Sequence, residues 1–543
     1  MFLNKEKNQF KSYTRRAFFL ILIKLAIFFF IGIRLYKIQI KESIKYKTLS
    51  KNNRINLNIL FPDRGFIVDR NDNVLATNNI SYQLYIIPEQ ISDINLTLNK
   101  LSRIIDLSFE QKNKIINLSK KTKKLESIKL IEDLNWSQLE LIEANIHFLN
   151  GVKLIPKNKR YYPYKNIYSH IIGYTSQPSE NDMEIPYISS MRNLDIGRTG
   201  VERFFNEKLI GIPGKQEVEV NSLGKEIREI SRLNSTQGEK VFLSIHNKVQ
   251  EIIYNELNNL VSGSIVVVNV ITGEIIGMVS MPDFDPNKII NKPNKKYWDK
   301  ITSNSLSPLN NRCTQGLYAP GSTFKMVVAL AALEKGIIDK KTSIFCEGKI
   351  EFGNRFYHCW KVKGHGKVSL IKAIKESCDC YFYSLAQKIG INELADMSNR
   401  FGLGQTTNIE LPGEKKGLVP TKEWKKKQLK ENWYTGETLI TCIGQGYLLA
   451  TPAQIALMTA LIANDGKKIK LTLLKTNNQT NNNLPNIGID KNHMNIIKDA
   501  MFKVVNEPSG TAYRIKSDPN KYNLSGKTGT SQVKKITIED RES

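Results

Sequence analysis

Residues 17 to 33, AFFLILIKLAIFFFIGI, form an apolar run broken only by Lys24. With Leu35 and its neighbours the run approaches the roughly 20 residues that a helix needs to cross a bilayer. We therefore expect one membrane span over 17–37, preceded by a short tail, 1–16. No small-residue cleavage site follows it, which points to an uncleaved signal anchor rather than a removed leader. Lys24 is expected to snorkel or to face a partner helix. Basic residues stand on both sides, Lys5, Lys7, Lys11, Arg15 and Arg16 before and Arg34, Lys37, Lys41 and Lys45 after. The positive-inside rule alone leaves the orientation open.

The 543-residue chain has length for several domains and at least one sizeable core. Its net charge of +27 is spread along the whole sequence, so it reads as a solvated basic surface. Such a surface also suits anionic lipid or an anionic polymer; no motif for reading nucleic acid is present, and no nucleic acid partner is expected.

FPDRGFIVDRNDNVLATN (61–78) reads as two strands around an Asn/Asp turn. Residues 80–150 alternate amphipathic helical stretches, such as LSRIIDLSFEQKNKIINLSKK, with polar breaks. Segments 160–175 and 195–214 carry aromatic and glycine punctuation but no paired acids or ligand clusters. We expect 38–240 to be a non-catalytic module. From 241 the texture changes: VFLSIHNKVQEIIYNELNNL looks like a strand running into a helix, and GSIVVVNVITGEIIGMVSMPDFDPN like a hairpin turning at Thr272 and Gly273. A second domain is expected over 241–543.

Within it, YAPGSTFKMVVALAALEKG (318–336) sets Ser322 three residues before Lys325 and then runs apolar from Met326 to Leu333. That helix is expected to be buried all round, with Ser322 and Lys325 on one face. A lysine in the first turn of a buried helix is desolvated and near the positive end of the dipole; both disfavour its protonated form. A neutral amine beside a hydroxyl is a general base for a weak nucleophile. The spacing alone is unspecific, since Ser222/Lys225, Ser369/Lys372 and Ser531/Lys534 share it. Two further motifs supply the context: Ser377-Cys378-Asp379 before an aromatic-rich apolar stretch, and Lys527-Thr528-Gly529-Thr530 in a strand-like setting.

The order Ser-x-x-Lys, Ser-x-Asp, Lys-Thr-Gly resembles the penicillin-binding protein and serine β-lactamase superfamily. The anchor, RGFIVDR, GRTGVERFFNEKLIGIPG, WYTGET (433–438) and IGQGYLLATPAQIA (443–456) extend the resemblance over most of the chain. It is similar to the class B penicillin-binding proteins, and among them to the elongation type, which an Asp at position 379 favours over the division type. The resemblance implies an α+β fold: an anchored, elongated pedestal, then a transpeptidase domain with a central antiparallel sheet and helices on both sides. It implies that Ser322 attacks the penultimate carbonyl of a D-Ala-D-Ala stem peptide with Lys325 as base, Ser377 relaying protons and Asp379 orienting the second motif or, through its charge, tuning Lys325 or Lys527. Lys527, Thr528, Gly529 and Thr530 would hold the terminal carboxylate, and the N–H groups of Ser322 and Thr530 would form the oxyanion hole. β-Lactams would acylate the same serine, and hydrolysis in place of transfer would be a carboxypeptidase side reaction. The substrate lies outside the cytoplasmic membrane, which would place the catalytic domain in the periplasm. Expected partners are peptidoglycan stem peptides, an elongation glycan polymerase, cell-shape proteins and the membrane. Arg64, Asp69 and Arg70 are expected to tie the two modules together.

Only KKITIEDRES follows LSGKTGTSQV, the strand-like segment that carries the third motif, where family members continue with further strands and a C-terminal helix. We expect a truncated domain. Two other readings differ downstream of acylation: a β-lactamase or β-lactam sensor, and an inactive scaffold for a glycan polymerase.

The six cysteines form the last pattern. Cys346, Cys359, Cys378 and Cys380 lie within 35 residues of sequence, with His365 between, while Cys313 and Cys442 stand apart. Three thiolates and an imidazole make a closed tetrahedral zinc set, and we expect zinc on Cys346, Cys359, His365 and Cys378, with His358 and Cys380 as substitutes. Disulfides and unpaired core thiols are the alternatives. Some elongation-type relatives carry a metal at the corresponding place, sometimes with carboxylate ligands. Cys378 lies between Ser377 and Asp379, so a metal there would brace the loop of the second motif without touching substrate.

Overall fold

A helix runs from Phe2 to Tyr36 and continues through a π-helical turn, Lys37–Lys41. Its portion Arg16–Lys41 is long and apolar enough to cross a membrane, and it is not buried by any described residue. The computed structural model describes residues 2–46, 54–121, 127–184, 194–221, 226–290, 294–476, 484–518 and 520–532. Contacts divide the chain into two compact units, each assembled from separated segments.

The first unit takes in Met1–Pro62, Ile80–Asn158 and Ile212–Thr236. Helices Ile94–Ser102, Phe109–Lys121 and Trp136–Asn145 pack Leu98, Leu101, Ile115 and Ile142 against Leu84 and Ile86. The last two belong to strand Val74–Ile86, which pairs with Ile128–Ile131 in the register Leu84↔Ile131. Strands thus interrupt the helical pattern expected over 80–150. The stretch 101–121 also divides in two, because Ser108 and Gln111 exchange hydrogen bonds as a capping box and start a fresh helix. Strands Ile55–Leu60, Gly214–Val220 and Glu226–Leu233 form an antiparallel sheet in this unit.

The second unit takes in Asp63–Asn79, Lys159–Gly211 and Gln237–Ser543. Ile67–Val68 pairs in parallel with Val241–Phe242 and antiparallel with the start of the long strand, turning through Asp72 at φ +68°. Asp69 accepts from Asn71 N and Asn73 N at 2.8 Å and from Asn247 N at 3.3 Å. Arg70 meets Glu274 at 2.9 Å. Arg64 reaches elsewhere: its Nε lies 2.6 Å from the fully buried carboxylate of Glu202, whose other oxygen takes Arg160 Nε at 2.6 Å. Burial alone would raise Glu202; the two guanidinium groups outweigh it and hold the carboxyl below its ordinary value.

Hairpin Gly263–Val268 and Ile275–Met281 turns at Gly273, whose φ of +78° and close approach to Lys470 O leave no room for a side chain. Alternation gives the hairpin two apolar faces. Ile265 and Val267 pack on helix Asn247–Asn258 through Ile253 and Leu257, whereas Val266 and Val268 face the main core. The central element of that core is helix Lys325–Glu334, buried from Lys325 to Leu333 as its uninterrupted apolar sequence requires. Helices Asp379–Ile389, Ile391–Arg400 and Lys491–Asn506 surround it.

One local expectation needs correction. Lys527–Thr530 belongs to no strand among the described residues. A groove of about 720 Å³ is lined by Val266 and Val268 of the hairpin together with Gly529, and no backbone hydrogen bond joins the hairpin to Lys527–Thr530 among the described residues.

Candidate active site

Three segments distant in sequence converge at the N-terminal end of the buried helix. Gly321–Phe324 forms a 3₁₀ turn that leads into it and carries Ser322 half-buried at its start. Gly321 has φ +58°, and a Cβ there would stand 2.6 Å from Thr530 O. Its N–H donates to Gly444 O at 2.8 Å, and Gly444 in turn has room for no side chain against Gly321. The third motif therefore lies directly against the serine turn, an approach that only glycine permits. Ser531 Oγ donates to Ala319 O at 2.9 Å and fixes that contact.

The second motif sits between two helices. Leu370–Lys375 ends, Cys378 N donates to Ala373 O at 2.9 Å, and Asp379–Ile389 begins. Ser377 occupies the junction at φ +55°, the left-handed region that disfavours a residue with a Cβ by about 1–2 kcal/mol. The strain aims its hydroxyl at two lysines. Lys325 Nζ donates to Ser377 Oγ at 3.3 Å and Lys527 Nζ at 2.9 Å.

Lys325 is fully buried, as expected. Its three hydrogens go to Ser377 O at 2.9 Å, Ser377 Oγ at 3.3 Å and Asp379 Oδ1 at 2.7 Å. Asp379 reaches the lysine from 54 positions further along the chain. No hydrogen bond between Lys325 and the Ser322 hydroxyl occurs among the described residues. For Lys527 burial dominates: it pushes the amine down to about 7, the Lys325 charge adds to the fall, and Asp379 opposes it.

Lys527 Nζ also donates to Thr528 O at 2.9 Å, with Thr528 Oγ1 at 3.5 Å. Gly529 packs beside Pro320 O and the Thr323 methyl, and Thr530 is exposed with its backbone beside Gly321. All eight residues of the three motifs are thus brought together. The sequence reading missed two neighbours. Trp360 N donates to Asp379 Oδ2 at 3.1 Å and its indole to Glu376 O at 3.0 Å. Thr511 Oγ1 lies 2.8 Å from Thr528 Oγ1. Neither belongs to a spacing pattern, so only the fold reveals them.

Cys346, Cys359, His365 and Cys378 are all buried, and their ligand atoms lie within 4.8 Å of one another. Strands Ser343–Cys346 and Gly366–Ser369 pair antiparallel, and hairpin Lys349–Phe352/Arg355–His358 returns the chain to Cys359. His365 Nδ1 is 3.6 Å from both Cys346 Sγ and Cys359 Sγ. A zinc ion 2.3 Å from sulfur and about 2.0 Å from nitrogen at a tetrahedral angle separates those atoms by about 3.6 Å. The donor set therefore fits such an ion. Hydrogen bonds from the Cys378 and Cys380 thiols hold Cys359 well below the ordinary thiol range. Cys380 is buried beside the set, while His358 is exposed. All six cysteines are free of disulfides. The cluster touches the catalytic motif directly, since Asp379 N donates to Cys359 Sγ at 3.4 Å.

The penicillin binding protein transpeptidase domain matches residues 263–540, and the penicillin-binding protein dimerisation domain matches 59–243. Peptidoglycan D,D-transpeptidase MrdA of Escherichia coli K12 is 33% identical, the match covering 97% of this chain and 87% of that protein. The structure is similar to that of a penicillin-binding protein, PBP2, solved in complex with MreC from Helicobacter pylori. There the TM-score is 0.80 at 31% identity, over 88% of this chain and 89% of the other. A chain from a peptidoglycan synthase complex, described as coordinating polymerization and crosslinking, matches with TM-score 0.69 at 28% identity over 97% of this chain and 89% of the other.

Proposed function

The chain belongs to the penicillin-binding protein transpeptidases, the family of the MrdA and PBP2 proteins, and on that footing we propose that Ser322 is its acylated nucleophile. The activity is that of a serine peptidoglycan D,D-transpeptidase of cell elongation. The observation that carries the assignment of roles is the convergence of Lys325 and Lys527 on Ser377 beside the Ser322 turn.

In the proposed reaction Ser322 Oγ attacks the penultimate D-alanine carbonyl and forms an ester, and the C–N bond to the terminal D-alanine breaks. Lys325, which contacts Asp379 at 2.7 Å, takes the hydroxyl proton. Ser377 passes that proton on from Lys325, 3.3 Å away, to the departing amine. A second amine then attacks the ester and forms the new C–N bond, while its proton returns through Ser377 and Lys325 to Ser322 Oγ as the C–O bond breaks. Lys527, Thr528 and Thr530 hold the substrate's terminal carboxylate alongside Gly529, whose lack of a side chain admits the substrate backbone. The N–H groups of Ser322 and Thr530 face the developing oxyanion.

Zinc on Cys346, Cys359, His365 and Cys378 would be structural, because a Cys₃His set leaves no open coordination position. Cys359 and Trp360, bonded to Asp379 N and Oδ2, would transmit the bracing to the second motif.

We further propose a single-pass anchor with the N-terminus in the cytoplasm and the catalytic domain in the periplasm. Residues 38–240 would serve as a pedestal that docks a cell-shape protein and a glycan polymerase, with 241–543 as the catalytic part. What supports this is the apolar helix together with the relatives captured with MreC and in a synthase complex. A fluorescent penicillin tests the catalytic assignment: unaltered protein should be labelled on the peptide containing Ser322, and equal labelling of Ser322→Ala would refute it.

A further inference from the structure

Residues 507–512, Glu-Pro-Ser-Gly-Thr-Ala, belong to none of the three motifs, yet they hold two of them together. Glu507 Oε2 pairs with Lys375 Nζ at 3.3 Å, and Ser509 Oγ donates to Glu376 Oε1 at 3.1 Å. Thr511 N donates to Lys375 O at 3.2 Å. Lys375 and Glu376 are the two residues before Ser377, so this side of the turn grips the approach to the second motif. The other side grips the third, through the 2.8 Å contact between the Thr511 and Thr528 hydroxyls. Gly510 makes the turn tight: a Cβ there would stand 2.3 Å from Val504 O.

We propose that Thr511 is a positioning residue that orients the Thr528 hydroxyl toward the substrate's carboxylate. The inference rests on the reading that Lys527 and Thr528 receive that carboxylate. A threonine hydroxyl has one hydrogen and two lone pairs. Lys527 Nζ, at 3.5 Å, can only donate to Thr528 Oγ1 while it carries its charge. When the Thr511 hydroxyl also donates, both lone pairs of Thr528 are engaged. Its single hydrogen then has one use left, donation to an anion beside Lys527, and such a charge-assisted bond is roughly twice as strong as a neutral one. Thr511 is exposed, so its own remaining lone pairs are satisfied by water and it loses nothing by serving as donor. Without it the Thr528 hydroxyl can turn away from the carboxylate, and the pocket must reorganise at each binding event.

A double-mutant cycle on the full chain tests this, using second-order acylation rate constants for a fluorescent penicillin. Thr511→Val should acylate about tenfold more slowly, the loss of a hydrogen bond acting on a charged group. Thr511→Ser, which keeps the hydroxyl, should stay within about twofold of unaltered protein. In a Thr528→Val background, Thr511→Val should change the rate less than about twofold, because the hydroxyl it orients is gone. Melting should not move, since the Thr511 N to Lys375 O bond is retained; Thr511→Ala replaces the valine variant if valine alone disturbs folding. Unchanged acylation in the valine variant, an equal loss in the serine variant, or the same tenfold loss in the Thr528→Val background would each overturn the proposal. Absence of labelling in the unaltered protein would instead sink the reading of the carboxylate site on which it rests.

Discussion

Lys527 Nζ donates to Ser377 Oγ across 2.9 Å, joining two motifs 150 residues apart in sequence. Burial sets the properties of that amine. Because its value is pushed down to about 7, the free protein loses the Lys527 charge as pH rises through neutrality. The second-order acylation rate for a carboxylate-bearing penicillin reports the free protein, and it should fall as pH rises through about 7. Lys527→Arg keeps its charge and should remove that alkaline limb. The linkage to stability runs the opposite way: the unfolded lysine binds the proton more tightly, so its burden on the fold is relieved as pH rises from about 7 to about 10.4.

Asp379→Asn should damage the base and the fold together. The variant keeps an oxygen for Trp360 N but leaves Lys325, which is fully buried, without its carboxylate. Breaking a buried pair in this way costs about 3–5 kcal/mol. The expected result is a clear fall in melting temperature with acylation reduced by about tenfold or more, read by calorimetry and penicillin labelling. Unchanged melting would show that the 2.7 Å pair contributes nothing net.

Cys359→Ser tests the metal assignment. Unaltered protein purified without chelator should carry about one zinc per chain, and the variant should lose it. Melting temperature and acylation rate should fall together, because Asp379 N loses the thiolate it contacts. Zinc-free protein with full acylation would refute the bracing role.

Glu202→Gln provides the contrast, a severe change remote from chemistry. It leaves Arg64 and Arg160 buried around a neutral amide and should cost about 3–5 kcal/mol. Since the Glu202 carboxyl is held below its ordinary value, the stability it supplies is present above the unfolded value near 4.3 and is lost as pH falls through the folded one. Acylation per folded molecule should be unchanged.

These residues also show what a sequence does and does not disclose. Ser322 and Lys325, Ser377 and Asp379, and Lys527 through Thr530 were legible because each set is held by local geometry, a helical turn or a short run of adjacent residues. The hairpin turn at Gly273 and the buried helix after Lys325 were legible for the same reason, through periodicity and glycine. The sequence left open whether the Asp379 charge acts on Lys325 or on Lys527, because the lysines lie 54 and 148 positions away and only packing sets the 2.7 Å contact with Lys325. Thr511 and Trp360 carry no spacing signal at all. The divided helix at Ser108 was missed because an apolar period continues across a capping box that starts a new helix. That Lys527–Thr530 pairs with no strand among the described residues was not legible either, because a strand needs a partner and the local sequence does not name one.

The most direct measurement is cross-linking itself. Purified full chain, given nascent glycan strands bearing D-Ala-D-Ala stem peptides, should release D-alanine and form cross-linked muropeptides, and Ser322→Ala should form none. Cross-links of equal yield from Ser322→Ala would contradict the account, as would D-alanine release by unaltered protein that is insensitive to penicillin.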